Sequence, residues 1–349
     1  MFLHFISFIT TIGVLIDIVG AHIIDIVGPT VVDDVTSNAQ FISSFSSFDT
    51  PKVRPITNSS FDWWYFDAVS ADQEYSVTVI FFTAPQSAFP FVEYETILPV
   101  YLFVSVPGDP FFLAEVAFAQ SATIITVGDG ASGCWEPTGF QFCGNPDMSV
   151  YRIDIASPTL DIGGSLVLDS VAPAHYPCAS LVLVRTWSCY LILVGQMLFQ
   201  TPFWADQPMQ DNVASWYWGH GRLGPYSIVW FDIKHLNGTE YTSGYVSKGG
   251  KVLSHSCHGV KVRPTGNNST YPPTLESPMP SGYHVEIYLG RKGKLEVDVS
   301  LVNLLLDVDG LYTRWAGSLS GGIKRKKKFK GTSICEQFVL IDADGDPVL

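Results

Sequence analysis

Charged side chains are scarce in this chain. Asp, Glu, Lys and Arg together make up 15% of the 349 residues, and the formal net charge is -13. A net negative chain argues against nucleic acid or an acidic membrane surface as the main partner. Hydrophobic residues reach 47% and aromatic residues 13%, enough to bury one very large core or two ordinary ones. This composition favours a small, apolar substrate.

Several common catalytic and binding motifs are also missing. The sequence has no GxSxG nucleophile elbow, no glycine-rich phosphate loop and no dinucleotide fingerprint. It has no CxxC pair and no clustered Cys and His with ligand spacing, which argues against a structural zinc site. These absences argue against a serine hydrolase of the GxSxG type and against an enzyme that depends on a nucleotide. We expect neither a metal nor a cofactor.

No apolar run is long and clean enough to predict a stable membrane span. The run 181–199 comes closest, but Arg185 and Gln196 interrupt it. Residues 1–21 predict a signal peptide, because an apolar segment ends in the small-residue pattern Val19-Gly20-Ala21. The fit is incomplete, since no basic residue precedes the apolar segment and Asp17 interrupts it. An uncleaved anchor and a buried terminal segment remain the alternatives.

Glycosylation sequons and cysteines support the secretory pathway, with the protein secreted or held in a vesicular or vacuolar lumen. The acceptors predicted by the N-x-S/T rule are Asn58, Asn237, Asn267 and Asn268. Six cysteines fit an oxidising compartment. Cys134 and Cys143 flank a short loop that a disulfide would close, and we predict that pair first. Pairings of Cys178 with Cys189, or of Cys257 with Cys335, stay open.

The pattern of apolar residues predicts an all-β protein. Short runs rich in β-branched and aromatic residues alternate with Gly, Pro, Asn and Asp, and no long amphipathic helix competes with them. Strands spaced in this way form sandwiches or barrels. We predict two packed β domains, residues 22–205 and 206–349, with a cavity at or near their junction.

Two aromatic stretches stand out within this pattern. The first places four consecutive aromatics, Trp63-Trp64-Tyr65-Phe66, between Asp62 and Asp67. As a strand it sends aromatic side chains to both faces, so both faces are expected to be covered. A buried sheet core explains any single one of these aromatics, but a carboxylate in such a strand needs a partner or a function. Asp62 and Asp67 are therefore candidates for a site.

The second stretch is Ser215-Trp216-Tyr217-Trp218-Gly219-His220-Gly221, followed by a strand that contains Trp230. His220 has small neighbours on both sides, which we expect to leave its imidazole accessible. The ordinary pKa of histidine suits proton transfer near neutral pH. A structural histidine among aromatics is the alternative interpretation.

The aromatic motifs resemble those of a known family. The evidence is their order along the chain from about residue 55 to 340: 62-DWWYFDAV-69, 218-WGHG-221, 224-GPYS-227, 230-WFD-232, 312-YTRWAG-317 and 336-EQF-338. In this order they are similar to the lipocalin-like fungal Diels-Alderases, which belong with the hydroxyneurosporene-synthase-like proteins. Where that family usually has Glu-Trp-Trp, this chain has Asp62-Trp63-Trp64, so its carboxylate is shorter. The resemblance implies two lipocalin-like β-barrel or sandwich domains.

The resemblance also implies an activity without a cofactor, a pericyclase that catalyses a stereoselective Diels-Alder or hetero-Diels-Alder cycloaddition. The signal-like N-terminus and the sequons are most similar to the branch that joins a tropolone o-quinone methide to a humulene-type sesquiterpene. Polyene or terpenoid and tropolone-type molecules would then be its partners. An intramolecular decalin-forming enzyme, a non-catalytic terpenoid carrier and a polyene hydratase or isomerase remain alternatives.

This activity gives the candidate residues their roles. A cycloaddition needs its reacting groups held close together, and aromatic walls provide that. We expect the four cavity-shaping side chains to be Trp64, Tyr65, Trp218 and Trp230. We expect His220 to donate a hydrogen bond to the substrate oxygen or exchange a proton with it, with Asp62 or Asp67 supplying or orienting a general acid or base.

Overall fold

The computed structural model describes residues 23–40, 48–92, 95–174, 188–189, 199–200, 203–267 and 269–349. Strands dominate the described residues, and the only helical turn among them is a short 3-10 turn at Gly290–Lys292. The prediction of an all-β protein is confirmed. The predicted signal peptide, residues 1–21, lies outside the described residues. No helix of the described part is long and apolar enough to cross a membrane.

The chain up to Ala205 supplies fifteen of the described strands. They are β1 (Ile23–Val27), β2 (Asn38–Ala39), β3 (Val53–Arg54), β4 (Phe61–Val69), β5 (Ser76–Thr83), β6 (Pro99–Val106), β7 (Asp109–Phe118), β8 (Ser121–Val127), β9 (Gly130–Glu136), β10 (Phe140–Gly144), β11 (Val150–Ser157), β12 (Ile162–Asp169), β13 (Ser188–Cys189), β14 (Phe199–Gln200) and β15 (Phe203–Ala205).

These strands form two large antiparallel sheets and one small pair. One sheet runs in the order β1-β8-β9-β10-β11-β12, and the other in the order β13-β15-β4-β5-β6-β7, with β14 also pairing β4. Apolar side chains from both sheets pack into one core, which joins Trp64 and Phe66 of β4 to Trp135 and Phe142 of the facing sheet. This part is a β sandwich, and β4 is one of its inner strands.

The second half of the chain supplies nine more strands. They are β16 (Val213–Leu223), β17 (Tyr226–His235), β18 (Glu240–Lys248), β19 (Lys251–Ser256), β20 (Val260–Thr265), β21 (Gly282–Tyr288), β22 (Lys294–Val308), β23 (Tyr312–Ile323) and β24 (Phe329–Val339).

All nine lie in one antiparallel sheet, in the order β19-β18-β17-β16-β24-β23-β22-β21-β20. The sheet curls until its far ends approach each other. A Cβ atom placed at Gly244 of β18 would lie 2.8 Å from Val260 of β20. Its interior holds a separate apolar core that includes Trp230, Tyr283 and Val297. This part is therefore a nearly closed barrel.

The sandwich and the barrel pack against each other through an aromatic cluster. Phe61, Trp63 and Tyr65 of β4 meet Trp216 and Trp218 of β16 in one continuous buried cluster. The architecture of two packed β parts is as predicted. The predicted boundary between residues 205 and 206 falls in the connection between β15 and β16; independent folding of the two parts stays a prediction.

The predicted disulfide between Cys134 and Cys143 is wrong, because both are free thiols. In the register of β9 and β10, Cys134 faces Gln141 while Cys143 faces Ser132, so the two cysteines are diagonal neighbours. Diagonal pairs in a sheet lie about 7–8 Å apart, which exceeds the separation that a disulfide spans. Cys257 is disulfide-bonded, but Cys335 is a buried free thiol, so a bond between those two is excluded as well.

Three of the four predicted glycosylation acceptors have exposed side chains: Asn58, Asn237 and Asn267. The fourth, Asn268, lies outside the described residues. Each of the three exposed asparagines sits beside a strand, where a glycan would project into solvent.

Candidate functional site

Strand β4 presents different chemistry on its two faces. Because successive side chains of a strand alternate, the odd-numbered residues Phe61, Trp63 and Tyr65 enter the junction cluster. The even-numbered residues Trp64 and Phe66 enter the sandwich core. Strand β4 therefore contributes aromatic side chains to two cores, which explains why both of its faces are rich in aromatic residues.

Strand β16 alternates in the same way. Trp216 and Trp218 face the junction, whereas Tyr217 belongs to the barrel interior. His220 lies two residues after Trp218 and therefore on the same face of β16, and the centres of the two rings are 5.0 Å apart. The ring of Trp218 in turn lies 5.7 Å from that of Tyr65, edge to face. The two aromatic stretches of the sequence therefore meet at the junction.

The central contact of the junction joins His220 to Asp67. Imidazole Nε2 lies 2.9 Å from carboxylate Oδ2, in a hydrogen bond between residues 153 positions apart in the sequence. Both side chains are buried. The second oxygen of Asp67, Oδ1, has no hydrogen-bond partner among the described residues. The pair combines a carboxylate from the sandwich with an imidazole from the barrel.

Burial lowers the pKa of His220 below its ordinary value, and the opposing attraction of Asp67 does not fully offset this effect. The imidazole is therefore neutral at neutral pH. In the tautomer whose Nε2–H donates to Asp67, the lone pair lies on Nδ1. A carboxylate that fixes the tautomer of a histidine in this way is the arrangement used for general base catalysis.

A buried cation lies beside this pair. Arg314 of β23 is 1% exposed and donates from Nε to the Glu336 carboxylate at 3.1 Å and to the Tyr312 hydroxyl at 3.0 Å. Its Nη2 also donates to that hydroxyl, which donates to Glu336 at 2.7 Å. Burial opposes the charge of Arg314, but Tyr312, Tyr65 and Glu336 together hold its pKa above the ordinary value. The guanidinium is a permanent positive charge inside the junction.

Tyr65 connects the cation to the aromatic wall. The guanidinium carbon of Arg314 lies 5.3 Å from the centre of the Tyr65 ring. The Tyr65 hydroxyl is buried and has no hydrogen-bond partner among the described residues. Burial raises its pKa well above the ordinary value, so the hydroxyl keeps its proton. It is therefore an unpaired hydrogen-bond donor beside the aromatic rings of the junction.

Asp62 does not join His220 and Asp67, contrary to the expectation that either carboxylate could serve the histidine. Its even number places it on the other face of β4, where its Oδ2 accepts a hydrogen bond from the backbone N–H of Lys52 at 2.8 Å. Burial raises its pKa to about 7. Because the strand alternates, only one of its two carboxylates can face the junction.

Trp64 and Trp230 also lie away from the junction, so the prediction of one cavity walled by four aromatics is wrong for these two. Trp64 packs against Trp135, with ring centres 5.8 Å apart. Trp230 is buried inside the barrel, where Gly219 gives it room: a Cβ at Gly219 would lie 2.3 Å from the Trp230 ring. The small neighbours of His220 therefore accommodate packing on the opposite face of β16, and His220 itself is 2% exposed.

Sequence reasoning did not assign a site role to Glu336 and Tyr312, although both lie in motifs that carried the resemblance. Arg314 forms an ion pair with the buried carboxylate of Glu336. Opposite residues of neighbouring strands point to the same face, so the registers Trp218↔Glu336 and Arg314↔Glu336 bring these side chains into one row. Only the pairing of the strands shows this row.

Asp232 serves the barrel. It accepts hydrogen bonds from the Tyr271 hydroxyl at 2.7 Å and from Arg263 at 3.0 Å, and burial raises its pKa to about 7.

Among the described residues, no group of three or more His, Cys, Asp and Glu side chains is arranged to hold a metal ion.

Comparison with known proteins agrees with this architecture. The Diels-Alderase-like family matches over residues 23–184. The quinolone epoxide rearrangement protein asqO of Emericella nidulans is 31% identical, covering 88% of this chain and 91% of that protein. The corresponding protein penF of Penicillium thymicola is 30% identical, covering 85% and 90%. The Diels-Alderase cheD of Chaetomium globosum is 28% identical over 38% of this chain and 30% of its own length.

Solved structures show the same fold. The crystal structure of CghA with Sch210972 superimposes with a TM-score of 0.71, covering 92% of this chain and 99% of that one, at 14% identity. A second structure of CghA gives a TM-score of 0.72 with the same coverage. The two relatives that match most of this chain, asqO and penF, are named for a rearrangement. The relative that matches 38% of it, cheD, is named as a Diels-Alderase. By its sequence and its two-part β architecture, the chain belongs to the fungal Diels-Alderase-like family.

Proposed function

We propose that the protein is an isomerising enzyme of fungal secondary metabolism that moves a proton on a small, apolar, oxygen-bearing substrate bound at the junction. The observation that carries this proposal is the buried His220–Asp67 hydrogen bond, which lies on the same strand faces as the unpaired Tyr65 hydroxyl and the ring of Trp218. A pericyclic reaction needs only positioning of its partners. A histidine and carboxylate pair in a buried site indicates that a proton is transferred as well.

The first candidate reaction is the rearrangement of an epoxide. Two relatives that match most of the chain are named quinolone epoxide rearrangement proteins. In this reaction a C–O bond of the epoxide breaks as its oxygen receives a proton, and a neighbouring group migrates to the electron-poor carbon. The remaining C–O bond then becomes a carbonyl as the oxygen releases that proton. All atoms and electrons of the substrate are retained, so the reaction consumes no oxidant or reductant.

The side chains of the junction match the needs of such a reaction. Tyr65 donates its hydroxyl proton toward the epoxide oxygen, where negative charge develops as the bond breaks. The fixed charge of Arg314 lies 5.3 Å from the centre of the Tyr65 ring and stabilises that negative charge. His220, held by Asp67, accepts the proton that the oxygen releases when the carbonyl forms and returns it to Tyr65, so both side chains end the reaction in their starting protonation states. The aromatic ring of Trp218 faces the electron-poor carbon framework.

The second candidate is the hetero-Diels-Alder reaction that joins a tropolone o-quinone methide to a humulene-type sesquiterpene. The same histidine and carboxylate pair favours it, because a hydroxymethyl tropolone must lose water to give the quinone methide, and that step needs a general acid and base. The aromatic walls of Tyr65 and Trp218 would then hold the two partners together. The family's name and its partial relative, a Diels-Alderase, support this candidate.

One experiment separates the two candidates. The purified protein is incubated, without added cofactor, with an aryl quinolone epoxide in one reaction and with a hydroxymethyl tropolone plus humulene in another, and products are resolved by chiral chromatography with mass detection. We expect accelerated formation of one carbonyl isomer from the epoxide. Accelerated formation of a single adduct in the other reaction would instead establish the cycloaddition. If the rate and the isomer ratio in each reaction equal those of the buffer control, both candidate functions are refuted. A terpenoid carrier or a decalin-forming enzyme would then remain.

We also propose that the protein acts in the secretory pathway. The support is the disulfide at Cys257, a bond that persists in oxidising compartments. Exposed side chains at Asn58, Asn237 and Asn267 give the glycosylation machinery three accessible acceptors.

A further inference from the structure

A cavity lies in the sandwich, away from the His220–Asp67 pair. It has a volume of about 260 Å³, somewhat below the 300–1,000 Å³ typical of sites for drug-sized ligands. Its lining comes from β1 and the chain that follows it, from the chain between Pro51 and Ile56, and from single residues of β4, β5, β8 and the chain before β6. Apolar side chains make up most of this lining, among them Val53, Ile97 and Ile124.

Trp64 lines the cavity and carries an unpaired hydrogen-bond donor. Its side chain is 1% exposed, and its indole Nε1–H has no hydrogen-bond partner among the described residues. Trp135, its neighbour in the same core, donates its own indole N–H to the backbone carbonyl of Phe82 at 3.0 Å. A buried donor without an acceptor costs free energy. The difference between the two tryptophans points to an acceptor that enters the cavity beside Trp64.

The charges at the cavity identify the acceptor as neutral. Arg54 lines the cavity, and its Nη2 donates to the Asp25 carboxylate and, at 2.9 Å, to the Thr50 hydroxyl. Its Nε is buried and has no partner among the described residues. Asp25 already neutralises the guanidinium, so a carboxylate ligand would gain no unpaired positive charge. A carbonyl oxygen, in contrast, can accept from the two unpaired donors without adding charge.

We propose that this cavity is a binding site for a compact, neutral, apolar molecule that carries a carbonyl oxygen, with Trp64 Nε1–H and Arg54 Nε–H as its donors. The apolar lining removes the ring or alkyl part of the ligand from water, while the two donors fix its orientation. The site faces the opposite side of β4 from Tyr65, and its occupation does not depend on the reaction proposed for the junction.

Two probes of nearly equal shape test the proposal, acetophenone and ethylbenzene, since only the first has a carbonyl. Each is titrated into full-length protein labelled with ¹⁵N at tryptophan, and the indole N–H resonances are followed by NMR. Trp64→Phe assigns the Trp64 signal by its loss, and Trp135→Phe is the matched control in the same core. We expect acetophenone to shift the Trp64 signal saturably, and ethylbenzene to bind at least about tenfold more weakly.

A variant at the cavity wall gives an independent reading if Trp64→Phe fails to fold. A Cβ at Gly28, which lines the cavity, meets no atom within 4 Å. Gly28→Phe should therefore fold, reduce the space for the probe and weaken acetophenone binding about tenfold or more. The proposal is overturned if acetophenone leaves the Trp64 signal unmoved up to its solubility limit. It is also overturned if both probes move that signal equally, or if Gly28→Phe binds acetophenone as the wild type does.

Discussion

The imidazole Nε2 of His220 lies 2.9 Å from Oδ2 of Asp67, and this hydrogen bond crosses from the barrel to the sandwich. On each strand an aromatic ring lies two residues before the polar partner and on the same face, Tyr65 before Asp67 and Trp218 before His220, and these two rings pack edge to face. A buried polar pair of this kind stabilises the fold only when both groups are satisfied. Its position at the junction makes it both a structural link and the centre of the proposed chemistry.

Asp67→Asn should lower the rate of the catalysed reaction by about 10²–10⁴-fold, the range typical of general acid and base catalysis. An amide keeps the size of the carboxylate, but it no longer favours the tautomer of His220 that has its lone pair on Nδ1. The measurement is the initial rate of product formation, with circular dichroism to confirm folding.

Asp62→Asn is the matched control, because the same substitution is made in the same strand but on the face that contacts Lys52. We expect its rate to stay within about threefold of the wild type. Equal losses of rate in the two variants would contradict a special role for Asp67.

Tyr65→Phe should lower the rate by about 10²-fold, the effect of removing one donor to a developing oxyanion, while leaving the free energy of unfolding within about 0.5 kcal/mol of the wild type. The reason is that the hydroxyl has no hydrogen-bond partner among the described residues, so its removal breaks no bond to them. Rates and urea unfolding curves are measured on the same preparations.

Tyr312→Phe, in contrast to Tyr65→Phe, should lower the free energy of unfolding. Its hydroxyl accepts from Arg314 and donates to Glu336, so its loss leaves two buried charged groups with an unmet hydrogen bond and costs about 1–3 kcal/mol. If Tyr65→Phe destabilises the protein as much as Tyr312→Phe does, the Tyr65 hydroxyl is bonded within the fold and is not the proposed donor.

Asp62 should make stability depend on pH. Its pKa rises from an ordinary 3.8 to about 7 in the folded protein, chiefly because of burial. Between those values the folded state keeps a proton that the unfolded chain releases, so this contribution to stability is present in acid and is lost as pH rises through about 7. Asn mimics the protonated carboxyl at every pH. The melting temperature of Asp62→Asn relative to wild type should therefore increase from about pH 5 to about pH 8.

A difference in melting temperature that stays constant across this range would contradict the raised pKa of Asp62. Other groups with shifted pKa values, such as His220 and Asp232, are present in both proteins and cancel in the comparison.

The sequence was sufficient to predict the strands and the family, since both depend on local patterns. Alternation of apolar residues indicated the all-β fold, and the ordered motifs around Trp63 and Trp218 indicated the Diels-Alderase-like family. Alternation also implied that Asp62 and Asp67 lie on opposite faces of one strand. It could not show which face meets the barrel, because that depends on how two separate sheets pack.

The distribution of the aromatics was harder to predict for the same reason. Trp64, Tyr65, Trp218 and Trp230 have similar composition around them, yet they fall into three different cores. The position of Arg314 beside Tyr65 depends on how the barrel packs against the sandwich, which is a long-range feature. The disulfide prediction failed because a short separation in sequence does not fix the register of the two strands that contain Cys134 and Cys143.

Enzymatic removal of N-linked glycans should reduce the mass of the protein when it is expressed in a fungal host. Asn58, Asn237 and Asn267 have exposed side chains, and each begins an N-x-S/T sequon. The glycosidase converts each occupied Asn to Asp, and mass spectrometry then identifies the occupied positions. An unchanged mass, with no converted site, would contradict passage through the secretory pathway.

Gly219→Ala should destabilise the protein by about 3 kcal/mol, the upper range for overpacking of a core. The added Cβ would lie 2.3 Å from the Trp230 ring and 2.9 Å from the backbone oxygen of Ile334, so both neighbouring strands must move. Gly164→Ala is the control, because a Cβ there meets no atom within 4 Å and should change stability by at most about 0.5 kcal/mol. Similar urea midpoints for the two variants would show that β16 and β17 separate easily, and His220 would then not be held rigidly against Asp67.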